Sequence, residues 1–217
     1  MRLAGDMRVR LLGTGSSDGW PNPWCTCASC RAAVAEGVLR GQSSALVDDR
    51  LLLEIGPEAP RAALRQGVDL VGVEAVLVTH AHPDHHAAPA WMWRGWVPGA
   101  SPLTLLAPPA VVEAARPHLD ASVTAVTIGA GERRSVAGYD VVALPATHAG
   151  PEAGPALLYD VTGPDGARLL WAGRCAEVRS SSTASYARPL VRSSACSDST
   201  PVSVAHSNRV PSGPVTS

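Results

Sequence analysis

Phenylalanine is absent from the 217-residue chain, and lysine is too: all 18 basic residues are arginine. Both absences follow a bias of GC-rich coding rather than a chemical demand. Against 19 acidic residues the arginines leave a formal net charge of −1 and a pI near 6.6. That balance supplies no global basic field, so whole-surface attraction to nucleic acid is not a basis for function, and a nucleic-acid partner is not expected. No apolar run reaches the ~20 residues of a membrane helix, and Asp6 with the early arginines breaks a secretory pattern. The expected compartment is the cytoplasm, with no membrane association. The chain also lacks the Gly-x-Gly-x-x-Gly and Walker patterns, which leaves nucleotide binding unsupported at its glycine-rich turn Gly13-Thr14-Gly15-Ser16-Ser17. Cysteines are few, five in all, and three of them are clustered; this suits metal binding in a reducing compartment better than a disulfide framework.

What the chain does have is 46% hydrophobic residues, enough to bury the core of one domain. Strand-like runs at 9–12, 43–47, 51–55, 73–78, 103–106 and 122–128 alternate with helical segments at 58–66, 86–96 and 110–118, an α/β pattern. Pro57 opens the first of these helices and Gly67 closes it. Hairpins are expected across Asp48-Asp49-Arg50, across Ala137-Gly138 and across Gly163-Pro164-Asp165-Gly166. Trp91, Trp93 and Trp96 read as packing residues of the helix at 86–96. Beyond Trp171 the alternation stops and serine, arginine and proline dominate, so 1–172 reads as the domain and 173–217 as a divergent, disordered tail.

The densest chemistry is Thr79-His80-Ala81-His82-Pro83-Asp84-His85-His86, which follows the apolar run Val76-Leu77-Val78. Imidazoles and a carboxylate are the usual ligands of a divalent transition metal, and a turn at the end of a strand can aim several at one point. A helix could not, because residues two apart lie on different faces. His148 also ends a strand-like run, and beside His80 and His82 it is a natural third ligand. His86 is an extra imidazole, read as a supporting or exposed residue rather than a ligand. Earlier in the chain, Cys25, Cys27 and Cys30 sit in a proline-stiffened turn at C-x-C-x2-C spacing; Cys25 and Cys27 are too close for an easy disulfide, while all three can share a tetrahedral zinc.

The motif His80-x-His82-x-Asp84-His85 resembles the signature of the metallo-β-lactamase-fold hydrolases. The opening Leu11-Leu12-Gly13-Thr14-Gly15 and the Cys25, Cys27, Cys30 cluster are similar to the cyclic phosphodiesterases of the carbon-phosphorus lyase pathway and to related domains fused to an adenosylcobinamide kinase. The resemblance implies an αββα sandwich with two zinc ions at one edge and a structural zinc on the cysteine loop, manganese being the alternative metal. It places His80, His82 and His148 on the first metal and Asp84 and His85 on the second, with Asp84 also catalytic in orienting a zinc-bound hydroxide toward a small-molecule phosphodiester. A homodimer is compatible with it. The chain departs from the family pattern in three places. Glu54 replaces an aspartate that supports the metal loop, and Ala172-Gly173-Arg174-Cys175 stands where a bridging aspartate belongs. The tail, moreover, does not resemble the region that supplies the last histidines. The sandwich is therefore expected to be incomplete at the C-terminus and hydrolysis to be impaired. Two alternatives stand beside a phosphodiesterase: a tRNA-processing nuclease of the same superfamily, and a non-catalytic remnant retaining one metal.

Overall fold

The computed structural model describes residues 7–148 and 154–173. The first half of the chain builds a six-stranded sheet from β1 (Val9–Gly13), β2 (Ser44–Val47), β3 (Leu51–Leu53), β4 (Ala75–Leu77), β5 (Leu103–Ala107) and β6 (Val123–Thr127), which lie side by side in that order. The pairs β1/β2 and β2/β3 are antiparallel, and β3 through β6 are parallel. The turn from β2 to β3 uses Asp48 and Asp49 at φ 50° and 59°, the doubly left-handed geometry that matches the twist of a tight hairpin. Parallel strands need crossovers, and these are supplied by α2 (Ala59–Arg65), α3 (Ala88–Gly95) and α4 (Pro109–Ala115), which follow α1 (Ala28–Ala35) in the chain. Each of the three crossover helices carries proline in its first turn, where the missing N–H is not needed.

The second sheet is wholly antiparallel and consists of β7 (Arg133–Val136), β8 (Tyr139–Ala146), β9 (Ala156–Thr162) and β10 (Arg168–Trp171), ordered β10-β9-β8-β7. Strand alternation sorts the apolar residues into two cores. Leu52, Val76 and Leu105 face the helices and pack with Ala63, Trp91 and Val112. Their neighbours Leu51, Leu53 and Leu77 face the other way and meet Val141, Ala143, Tyr159 and Trp171 of the second sheet. Among the described residues, helices, six-stranded sheet and four-stranded sheet form three layers of the expected sandwich. The expected hairpins and helices lie where the sequence puts them, within a few residues at their ends. From Arg174 onward the expected tail lies outside the described residues, and no helix among those described is long and apolar enough to cross a membrane.

The tryptophans of α3 divide. Trp91 is 1% exposed and belongs to the core, whereas Trp93 and Trp96 are 36% and 70% exposed. Trp91 packs in the core, and Trp93 lies against Arg61, whose guanidinium carbon is 5.8 Å from the ring centroid.

Candidate metal centre

Parallel β3 and β4 end at the same edge of the first sheet, so the residues that leave them are neighbours. Beyond β3 the chain turns sharply at Glu54, whose φ of 64° puts a non-glycine residue in the left-handed region. Beyond β4 come Thr79 and the histidine loop. The loop is folded on itself by His85 N and His86 N, which both donate to the His82 carbonyl, and it is tied to the residues after β3 by Ile55 N to His85 O and Ala87 N to Ile55 O. At Gly56 an added Cβ would lie 1.9 Å from the Asp84 carbonyl oxygen, so only glycine lets the two segments approach this closely. The second sheet joins the same edge through Leu157 N, which donates to Thr79 O. His148, two residues past β8, thereby reaches the loop.

His80, His82 and His148 converge. His82 Nδ1 lies 3.0 Å from His80 Nε2 and 3.0 Å from His148 Nε2. The hydrogen bonds behind the rings decide which nitrogen of His80 is free. Thr79 Oγ1 donates to Glu54 Oε1 at 2.7 Å, so the contact between Thr79 Oγ1 and His80 Nδ1 at 2.9 Å must take its proton from the imidazole. The proton sits on Nδ1, and Nε2 points its lone pair at His82. Burial, with His85, His148 and His82 nearby, drives the pKa of His80 down to about 2, so its imidazole is neutral at ordinary pH. A cation with Zn–N distances of about 2.0–2.1 Å suits three nitrogens so spaced, and the residues present therefore fit a metal.

A second donor pair adjoins the first. Asp84 Oδ2 and His85 Nε2 are 3.2 Å apart, and the His80 and His85 ring centroids are 4.2 Å apart, so the two groups share a wall. Burial opposes charge on His85, but Glu54 and Asp84 outweigh it and raise the pKa to about 9. Asp84 moves down: burial pushes its carboxyl up, and the hydrogen bond and charge of His85 prevail. The buried Nδ1 of His85 lacks an aligned hydrogen bond, its nearest polar partner being Glu54 Oε1 at 3.4 Å. Nδ1 is turned to the Glu54 carboxylate and Nε2 faces Asp84, the kind of arrangement in which an outer carboxylate can orient a metal-binding imidazole.

Glu54 stands behind the loop, where the family resemblance puts a supporting carboxylate. It is fully buried and accepts from Thr79 N at 3.1 Å, Thr79 Oγ1 at 2.7 Å and Trp171 Nε1 at 3.0 Å. His86 is not exposed. It is 7% accessible, and its Nε2 accepts from Trp91 Nε1 at 3.0 Å. Burial and the neighbouring His118 lower its pKa to about 4.

The thiols of Cys25, Cys27 and Cys30 also come together, all within 4.8 Å of one another. Cys27 caps α1, its Sγ accepting from Cys30 N at 3.5 Å. The cluster has three members among the described residues, one short of a tetrahedral set, and the chain's other two cysteines, Cys175 and Cys196, lie outside the described residues.

Two facing sheets with a histidine-rich loop at one edge define a class of α/β metal-dependent hydrolase folds. A family model described as a beta-lactamase superfamily domain matches residues 49–193, and the chain belongs to that superfamily. An octanoyltransferase of Porphyromonas gingivalis (strain ATCC BAA-308 / W83) is 37% identical over 82 residues, which are 36% of this chain and 16% of that protein. Among solved structures, a new diphosphatase from the PhnP family is 24% identical, with a TM-score of 0.55, over 72% of this chain and 62% of that one. The short form of human tRNase Z is 15% identical, with a TM-score of 0.56, over 79% of this chain and 70% of that one. These structural likenesses show the metallo-beta-lactamase fold. The chain spans less than two thirds of the diphosphatase and a small part of the octanoyltransferase.

Proposed function

We propose that this protein is a metal-dependent hydrolase whose substrate is a small phosphodiester. The observation that carries the reading is the convergence of the ring nitrogens of His80, His82 and His148 beside Asp84 and His85 at the strand ends. In this reading His80 Nε2, His82 Nδ1 and His148 Nε2 hold one divalent ion, and Asp84 with His85 Nε2 holds a second. Zinc is the ion that this nitrogen-rich set suits best, and manganese is the alternative. Divalent ions there would supply Lewis acidity toward a phosphoryl oxygen and toward water.

The chain's own groups do the rest. Asp84, held below the ordinary carboxylate range, is ionised at neutral pH and orients the attacking water. Glu54 and Thr79 fix the imidazole planes from behind. Cys25, Cys27 and Cys30 would hold a separate structural zinc that pins the loop ahead of α1. The phosphodiester assignment draws on the glycine-rich turn after β1, on the cysteine loop and on the likeness to a diphosphatase. The near-neutral charge weighs against RNA as substrate.

The test is hydrolysis of bis(p-nitrophenyl) phosphate by protein reconstituted with zinc or manganese. Turnover that a chelator abolishes supports the reading. Stoichiometric metal with no turnover would instead favour a non-catalytic remnant, and salt-sensitive tRNA cleavage would favour the nuclease.

A further inference from the structure

Gly173 lies just beyond β10 and directly behind the histidine loop. Its φ is outside the left-handed region, so the backbone gives no reason for glycine there. Space does. A Cβ at this position would stand 2.6 Å from Glu54 Oε1, 2.8 Å from Thr79 Oγ1 and 3.1 Å from His85 Cε1. The first two are closer than real carbon contacts come, so a neighbour would have to move. Glu54 cannot swing aside: it is fully buried, three donors hold its carboxylate, and its own N–H is bonded to Leu77 O. Thr79 is bonded between Glu54 and His80, and His85 is 1% exposed.

We infer that Glu54 and Gly173 are a matched positioning pair that sets both metal sites through one carboxylate. Glu54 Oε1 reaches His80 through Thr79 Oγ1 and faces His85 Nδ1 directly, so one side chain stands behind a ligand of each donor set. The missing side chain at 173 leaves the room that this longer carboxylate occupies. The inference rests on the metal-site reading above. It adds that the two sites are mechanically linked, and that a methyl group at 173 acts on metal binding by displacing Glu54.

A double-mutant cycle on the full chain tests it, using wild type, G173A, E54D and E54D/G173A. Zinc affinity is measured by competition with a chromogenic chelator, and thermal unfolding is followed on the metal-stripped proteins. Aspartate withdraws the carboxylate by one carbon–carbon bond, about 1.5 Å. E54D alone should weaken zinc, because the carboxylate no longer reaches His85. G173A should weaken zinc about 10–100-fold beside Glu54, the range for disturbing a ligand's outer partner. In the E54D background the loss should be smaller by more than about twofold, the scatter of an additive cycle, with the remainder coming from the contact with Thr79 Oγ1 at 2.8 Å. The melting temperatures should show the same non-additivity. Equal losses from G173A in both backgrounds, or no loss in either, overturn the pairing. If wild type binds zinc and the cycle is additive, the metal site stands and the pairing falls. If neither wild type nor any variant takes up zinc, both fall.

Discussion

Replacing Thr79 by valine keeps the shape of a side chain that is 1% exposed and removes one hydroxyl. That hydroxyl makes two contacts, donating to Glu54 Oε1 at 2.7 Å and accepting from His80 Nδ1 at 2.9 Å. Glu54 keeps its bonds from Thr79 N and Trp171 Nε1, so it remains held. His80 does not fare as well, because its buried Nδ1–H loses its acceptor at a cost of about 1–3 kcal/mol. The imidazole is then free to move its proton to Nε2, the atom that faces His82. Loss of an outer partner weakens metal binding by about 10–100-fold, or about 1.4–2.8 kcal/mol. Urea unfolding of the metal-stripped protein and a zinc competition titration read the two effects separately. Thr79→Ser keeps the hydroxyl and should bind zinc as wild type does. Zinc binding by Thr79→Val within about twofold of wild type, inside the additive scatter, would refute the tautomer argument, as would equal losses for the serine and valine variants.

The metal-stripped protein should be most stable near pH 6.5, the ordinary value for histidine. Below it, unfolded His80 and His86 take up protons that their folded forms, at about 2 and about 4, refuse, so stability falls as pH drops through 6.5. Above it, folded His85 keeps its proton to about 9 while the unfolded residue has lost it, so stability falls again as pH rises toward 9. Urea midpoints from pH 4 to 10 check this, and a steady rise from pH 5 to 9 would contradict it. Trp91→Phe removes the donor to His86 Nε2 and should cost at least about 1–3 kcal/mol, whereas Trp96→Phe, at a 70% exposed site, should stay within about 0.5 kcal/mol of wild type. Similar midpoints for the two variants would show that the buried imidazole does not need its partner.

The histidine loop was legible in the sequence because four imidazoles and a carboxylate in seven residues have little other use, and His148 because it ends a second strand-like run. The parallel strands were legible as apolar runs separated by helical segments, since burial on both faces leaves that mark. The conformation and partners of Glu54 were less so. A positive φ leaves no trace in residue type when the residue is not glycine, and the partners Thr79 and Trp171 lie 25 and 117 positions away. His86 was hidden for a similar reason: it lies five positions from Trp91, and only the way the loop runs into α3 lets the indole reach it. The requirement for glycine at 173 is a matter of what lies behind the backbone, and it is visible only once two sheets are packed.

The central claim is that His80, His82 and His148 hold a metal ion, and zinc content measured on purified wild type and His82→Ala tests it most directly. Dialysed against buffered zinc at neutral pH, wild type should retain at least one equivalent more than the variant, with both proteins folded by circular dichroism. Equal zinc in the two proteins would contradict the account.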